Sequence, residues 1–160
     1  MPFNNSADAA RQFIASVSTV ADTVVASGGS LPSGALGSTA SPKVVVVNGD
    51  LSLSPSDGDG AGLLIVTGTL TLNGNFSYTG IIMALGAGQI VRHGGGGGTI
   101  SGGIVAGAYS AGSSTFDGSP FVDTSGGGNS TIQYCSNAVS AALNRLSVVT
   151  VKSFSSDSTN

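Results

Sequence analysis

Tryptophan and glutamate are both missing from this 160-residue chain, cysteine occurs once, and charged residues make up only 8% of it. Each absence closes a class of protein. All eight acidic residues are Asp, a turn and cap former, whereas Glu favours helices, so the chain reads as strands and turns. Cys135 alone excludes an internal disulfide and a cysteine zinc cage, and reads as a small apolar residue. Five scattered cations, Arg11, Lys43, Arg92, Arg145 and Lys152, against a net charge of −3 give no phosphate-neutralising patch, so no nucleic-acid partner is expected. No run of about 18 apolar residues spans a bilayer, and the Met1 region lacks the charged start and apolar stretch of a secretory signal. The chain itself is expected to be soluble and not to insert into a membrane. It is either cytoplasmic or part of a longer protein whose anchor lies outside it.

Low charge does not imply disorder, because 40% of the residues are hydrophobic and 26 are Gly. The length suits one domain, 1–160. Three stretches within it are nearly synonymous: Lys43–Ser54, Leu63–Gly74 and Ile81–Val91. Each is an aliphatic strand, a Gly-containing bend and a shorter alternating strand, and the starts lie roughly nineteen residues apart, the period of a stacked solenoid. One coil leaves unpaired backbone on both rims and an apolar face too small to bury itself. Stacking solves both, which predicts Leu51 over Leu70, Leu53 over Leu72, and bends at Gly49, Gly68 and Gly86.

The third copy aligns through Gln89, Ile90 and Val91 only with an inserted or skipped residue, for which a bulge is expected. A fourth turn follows at Gly98–Ala106, where Ser101-Gly-Gly-Ile-Val echoes Tyr78-Thr-Gly-Ile-Ile. A last rung is expected at Ser130–Tyr134. The fold class is therefore mainly β: a short right-handed parallel β-helix over 43–134. An amphipathic helix at 6–27, capped by Ser6 and carrying Phe13, Ile14, Val17, Val20, Val24 and Val25, is expected to pack on one end or side of the stack. Residues 28–42 read as a linker containing Leu31 and Leu36. A C-terminal cap at 138–154 combines a helix, Ala138–Leu146, with a strand, Ser147–Phe154; from Ser155 the tail should fray.

Val46–Leu53, Gly62–Phe76, Gly94–Gly98 and Gly126–Tyr134 together resemble the C-terminal β-helical region of bacterial PilX-type pilus-assembly proteins, over roughly Pro42–Phe154. The resemblance implies a non-catalytic module of the cell envelope or extracellular surface, with pilin-like or envelope proteins as partners. Members of that family usually carry a membrane-anchoring helix ahead of this region, which this chain does not show. With both ends capped, a monomer or weakly self-associating protein is expected.

Other chemistry is thinly represented. His93-Gly-Gly-Gly is similar to an esterase oxyanion-hole sequence, yet no Gly-x-Ser-x-Gly elbow and no second histidine accompany it, so its glycines are expected to pass close to another backbone. Asp57 with Asp59, and Asp117 with Asp123, are candidate acid and base pairs for a carbohydrate-active or carbohydrate-binding β-helix, the alternative function. Ser56–Gly60 has the Asp-x-Asp-Gly form of a calcium loop without its closing Glu, leaving Asp57 and Asp59 as weak calcium candidates beside the simpler reading of an Asp-Gly turn. Thr67, Thr69 and Thr71 lack the neighbours of an ice-binding lattice and read as β-formers with solvent-facing hydroxyls. A self-assembling filament of end-to-end coils is a third possibility. No catalytic residue, cofactor or transition metal is expected.

Overall fold

In a computed structural model, which describes residues 6–123 and 131–144, the chain winds into a parallel β-solenoid of about four turns with two helices against it. Helix α1 is Ala7–Val20, and the strands are β1 Thr23–Val25, β2 Lys43–Val47, β3 Leu51–Leu53, β4 Gly60–Val66, β5 Thr69–Asn73, β6 Tyr78–Gly86, β7 Gln89–His93, β8 Thr99–Ala108, β9 Phe121–Asp123 and β10 Thr131–Tyr134. A second helix, α2, covers 136–144. Every pairing between the described strands is parallel. Six strands form one sheet, β1-β2-β4-β6-β8-β10, and four form the other, β3-β5-β7-β9.

The expected columns are present. Leu51 pairs with Leu70 and Leu53 with Leu72, and all four are buried. The two sheets differ in what covers them. In β2, Val45 and Val47 point into the solenoid interior, while Val44 and Val46 face outward beneath α1. Strands covered on both faces read as continuous aliphatic runs, which explains Val44–Val47 and Leu63–Val66. The smaller sheet alternates instead: Leu51 and Leu53 are buried and Ser52 between them is exposed.

Helix α1 is shorter than its apolar spacing predicts. Ser6 caps it, its hydroxyl accepting from the amide of Ala9, but the helix stops at Val20 and Ala21 is extended. Asp22 then grips β2, its carboxylate accepting from Val44 N at 2.8 Å and its own amide donating to Val44 O. The β-branched Thr23-Val24-Val25 joins the sheet beside Val45–Val47, where its crowded Cβ atoms fit better than in a helix. Of the two surfaces open to α1, the side is the one it takes: Ala10, Ile14 and Val17 lie on the outer face of the larger sheet. Helix α2 covers the same face through Val139 and Ala142. The remainder of the expected C-terminal cap, 145–154, lies outside the described residues.

Residues 28–42 do more than link. Leu31 packs on the interior cluster, and Leu36 belongs to it at 2% exposure. Leu36 O accepts from Ala61 N, so Leu36 stands as the first-coil neighbour of Gly60. Gly37 and Pro42 form an antiparallel bridge, which lets Ser38–Ser41 leave the coil and rejoin it at one point.

Two registers differ from expectation. The third coil is accommodated without a bulge: β6 and β7 keep unbroken ladders, and extra length sits at the corner Ala87-Gly88. In the fourth coil Gly102, and not Gly103, lies against Gly80, while Ile104 pairs with Ile82. The one-residue difference matters because it sends alternate side chains to opposite faces. It is set by a column of glycines. Gly62, Gly80 and Gly102 have φ of 123°, 138° and 145°, and a Cβ on either of the last two would strike the carbonyl oxygen of the glycine before it.

Candidate functional site

The carboxylates singled out above are engaged in turns. Asp57 ends a 3-10 turn at the corner between β3 and β4, where Oδ2 accepts from Ser54 N at 2.8 Å and Ser54 Oγ at 2.9 Å. Asp59 Oδ1, at the same corner, accepts from Ser77 N in the next coil at 3.2 Å. Asp117 lies at the opposite corner, between β8 and β9, and accepts from Ser110 N at 2.7 Å. That hydrogen bond holds its carboxyl below the usual aspartate range. Asp123 closes β9, so a strand separates it from Asp117. Three rungs, about 14 Å, separate β9 from β3, whose corner holds Asp57. The two candidate pairs therefore occupy different coils and corners. Among the described residues no group of three His, Cys, Asp or Glu side chains is placed to hold a metal ion.

His93 ends β7, exposed, opposite Asn73. The glycines after it follow the backbone of the preceding coil, as their composition predicts: a Cβ on Gly96 would lie 2.7 Å from the carbonyl carbon of Gly74, and Gly97 N donates to Asn75 Oδ1 at 2.7 Å. On the bare face of the smaller sheet, side chains link the rungs. Thr69 Oγ1 donates to Gln89 Oε1 at 3.3 Å, and Asn73 Nδ2 donates to Ser52 Oγ at 2.8 Å. Thr67 departs from its neighbours, because its hydroxyl accepts from Gly49 N at the corner and is not a free surface group.

Sequence reasoning missed two features. The first is Arg92, which pairs with Leu72 and so occupies an interior column, 3% exposed. Its guanidinium donates to the carbonyls of Gly74 at 3.0 Å and Phe76 at 3.2 Å, and burial lowers its pKa. Alignment of Ile90-Val-Arg-His with Leu70-Thr-Leu-Asn held that signal: a cation at an inward position.

The second is an asymmetry of the stack. At the N-terminal end the interior is closed, with Val25 5% exposed and Leu31 and Leu36 packed over the core. At the C-terminal end it is not. Val122 follows Ile90, and Ile132 follows Ile100, in columns whose inner members are 0% exposed, yet Val122 and Ile132 are each 43% exposed. Phe121 and Tyr134 on the same two strands are 52% and 74% exposed. No described strand pairs with the outer edges of β9 and β10. Among the described residues, the apolar patch is therefore bounded by two parallel edges that pair with no further strand.

No described helix is long and apolar enough to cross a membrane. Comparison with protein-family models, curated proteins and solved structures finds no match to this chain.

Proposed function

We propose that this protein is a non-catalytic structural or interaction module of the bacterial cell envelope or surface, which engages a protein partner through its terminal coil. The observation that carries the reading is the contrast between ends: Leu36 seals one, while Val122 and Ile132 stand half-exposed at the other. A partner strand laid along β9 or β10 gains backbone hydrogen bonds and covers these side chains in the same step. The closed end weighs against a head-to-tail filament, which needs two open ends. Turn-engaged carboxylates at separate corners weigh against the carbohydrate-active alternative. The likeness of Val46–Leu53 and Gly62–Phe76 to PilX-type sequences is the support for placing the partner among pilin-like envelope proteins.

Photo-cross-linking in the source cells tests this. A benzoylphenylalanine at Val122 or Ile132 should yield a discrete adduct with an envelope protein, while the same group at Ser52, on the bare sheet face, should not. Equal labelling from all three positions, or adducts formed solely with further copies of this chain, would overturn the proposal.

A further inference from the structure

Helix α1 leads by sequence into the first coil, yet its other end is fastened to the fourth. At its C-terminal end Asp22 ties the chain to β2 through Val44. At its N-terminal end Ala7 N donates to Ser114 O and Ser6 bridges Thr115, both in the corner between β8 and β9. The Arg11 guanidinium enters the same corner, donating to the carbonyl of Ser110 at 2.8 Å and to that of Ser113, and lying 4.6 Å from the centroid of the Tyr109 ring. The corner is shaped by its own contacts. Asp117 accepts from Ser110 N, Gly118 N donates to Ala108 O, and the Phe116 ring meets Tyr109 edge-on at 5.6 Å, which holds the two carbonyls side by side for one planar fork.

We propose that α1 is a strap that makes the first and fourth coils open together, with Arg11 as its latch. Stacked coils touch only their neighbours, so an end coil can fray without involving the other end. The 14-residue helix rises about 21 Å, enough to cross obliquely the three rung spacings, about 14 Å, from β2 to β8. On the way Ile14 and Val17 share one buried cluster with Val46 of β2, Ile65 of β4 and Met83 of β6. Apolar contact alone has no fixed geometry and would let the helix stay with the first three coils while the fourth peels away. The fork on two carbonyls of the β8–β9 corner joins the far end, and Asp22 on Val44 anchors the near one.

Native-state amide exchange in the full chain tests this. In the unaltered protein the slowest amides of β8 should open with the same free energy and denaturant dependence as those of β2. Arg11→Met keeps an apolar stem and removes the donors; it should speed exchange in β8 by about tenfold or more while β2 and β4, the controls for folding, hold their rates. Asp22→Ala cuts the strap at the opposite end and should also speed β8, although Asp22 does not touch it. Because either cut releases the same strap, the double variant should exchange at β8 little faster than the faster single one, whereas unrelated distant sites would multiply their effects. Equal acceleration of β2, β4 and β8 by Arg11→Met overturns the proposal, since it marks a general loss of stability. So does a β8 that ignores either substitution, or factors that simply multiply in the double variant.

Discussion

The carbonyl oxygen of Gly62 fills the space that a side chain on Gly80 would need, and Gly80 does the same to Gly102 one coil later. The φ values of Gly80 and Gly102, 138° and 145°, lie beyond the left-handed helical well that Asn or Asp can enter, and the abutting backbone leaves no room for a Cβ. This column sets the distance and register of three successive strands in the larger sheet.

Gly80→Ala should therefore destabilise the fold by about 2–4 kcal/mol, since strain and collision act together. Gly58 has a φ of 78° with nothing within 4 Å of its missing Cβ, so Gly58→Ala should cost only about 1 kcal/mol. Urea unfolding of the two variants separates the effects, and equal losses would show that the column is not what limits substitution.

Tyr78 stacks between Gly60 and Ile100 in the interior at 1% exposure, and its hydroxyl has no hydrogen-bond partner among the described residues. Burial pushes its pKa far upward. Tyr78→Phe keeps the ring and removes the unsatisfied group, so stability should stay level or rise by about 1 kcal/mol. A loss above about 1 kcal/mol in thermal or urea unfolding would reveal a bound water or other partner for the hydroxyl.

Arg92→Ala leaves the carbonyls of Gly74 and Phe76 without their donor and opens space at the end of the Leu53–Leu72 column. The expected loss is about 2–4 kcal/mol. Lysine should recover little of it, because one ammonium cannot reproduce two separated donors of a planar fork. Denaturation midpoints of the Ala and Lys variants check both statements.

Asp117 has a pKa below its ordinary 3.8 because it accepts from Ser110 N. A lowered carboxylate pKa means that the tie contributes fully above the unfolded value and is lost as pH falls through the folded one. A carbon-detected NMR titration should place its midpoint below 3.8. The stability difference between wild type and Asp117→Asn should be constant above about pH 5 and shrink below about pH 4.

The strand lattice was legible in the sequence wherever a coil repeats its own spacing. Leu51, Leu53, Leu70 and Leu72 announce a buried face by alternation alone, and their vertical order follows from the period. What escaped depends on information from other coils. The helix ends at Val20 because Asp22 finds Val44 N, a partner 22 positions away that helical spacing cannot foresee. Gly102 and Gly103 are indistinguishable in composition, and the choice between them is made by the backbone of Gly80. Of the candidate site, the polar residues drew notice because their types suggest chemistry, whereas the exposed patch consists of ordinary strand residues. Val122 and Ile132 look like any other inward position in the sequence, and only their exposure in the structure sets them apart.

The pinch between Gly37 and Pro42 gives the scaffold a natural port. The polypeptide departs and returns at a single place, Ser38–Ser41 are exposed throughout, and the backbones of Ser38 and Ser41 hydrogen-bond each other, so the detour closes on itself. Lengthening it adds only a slowly growing closure entropy. Natural variation in this architecture has room to accumulate there, and an epitope or enzyme grafted between those two residues would be displayed on a rigid pedestal without altering how the pedestal is wound.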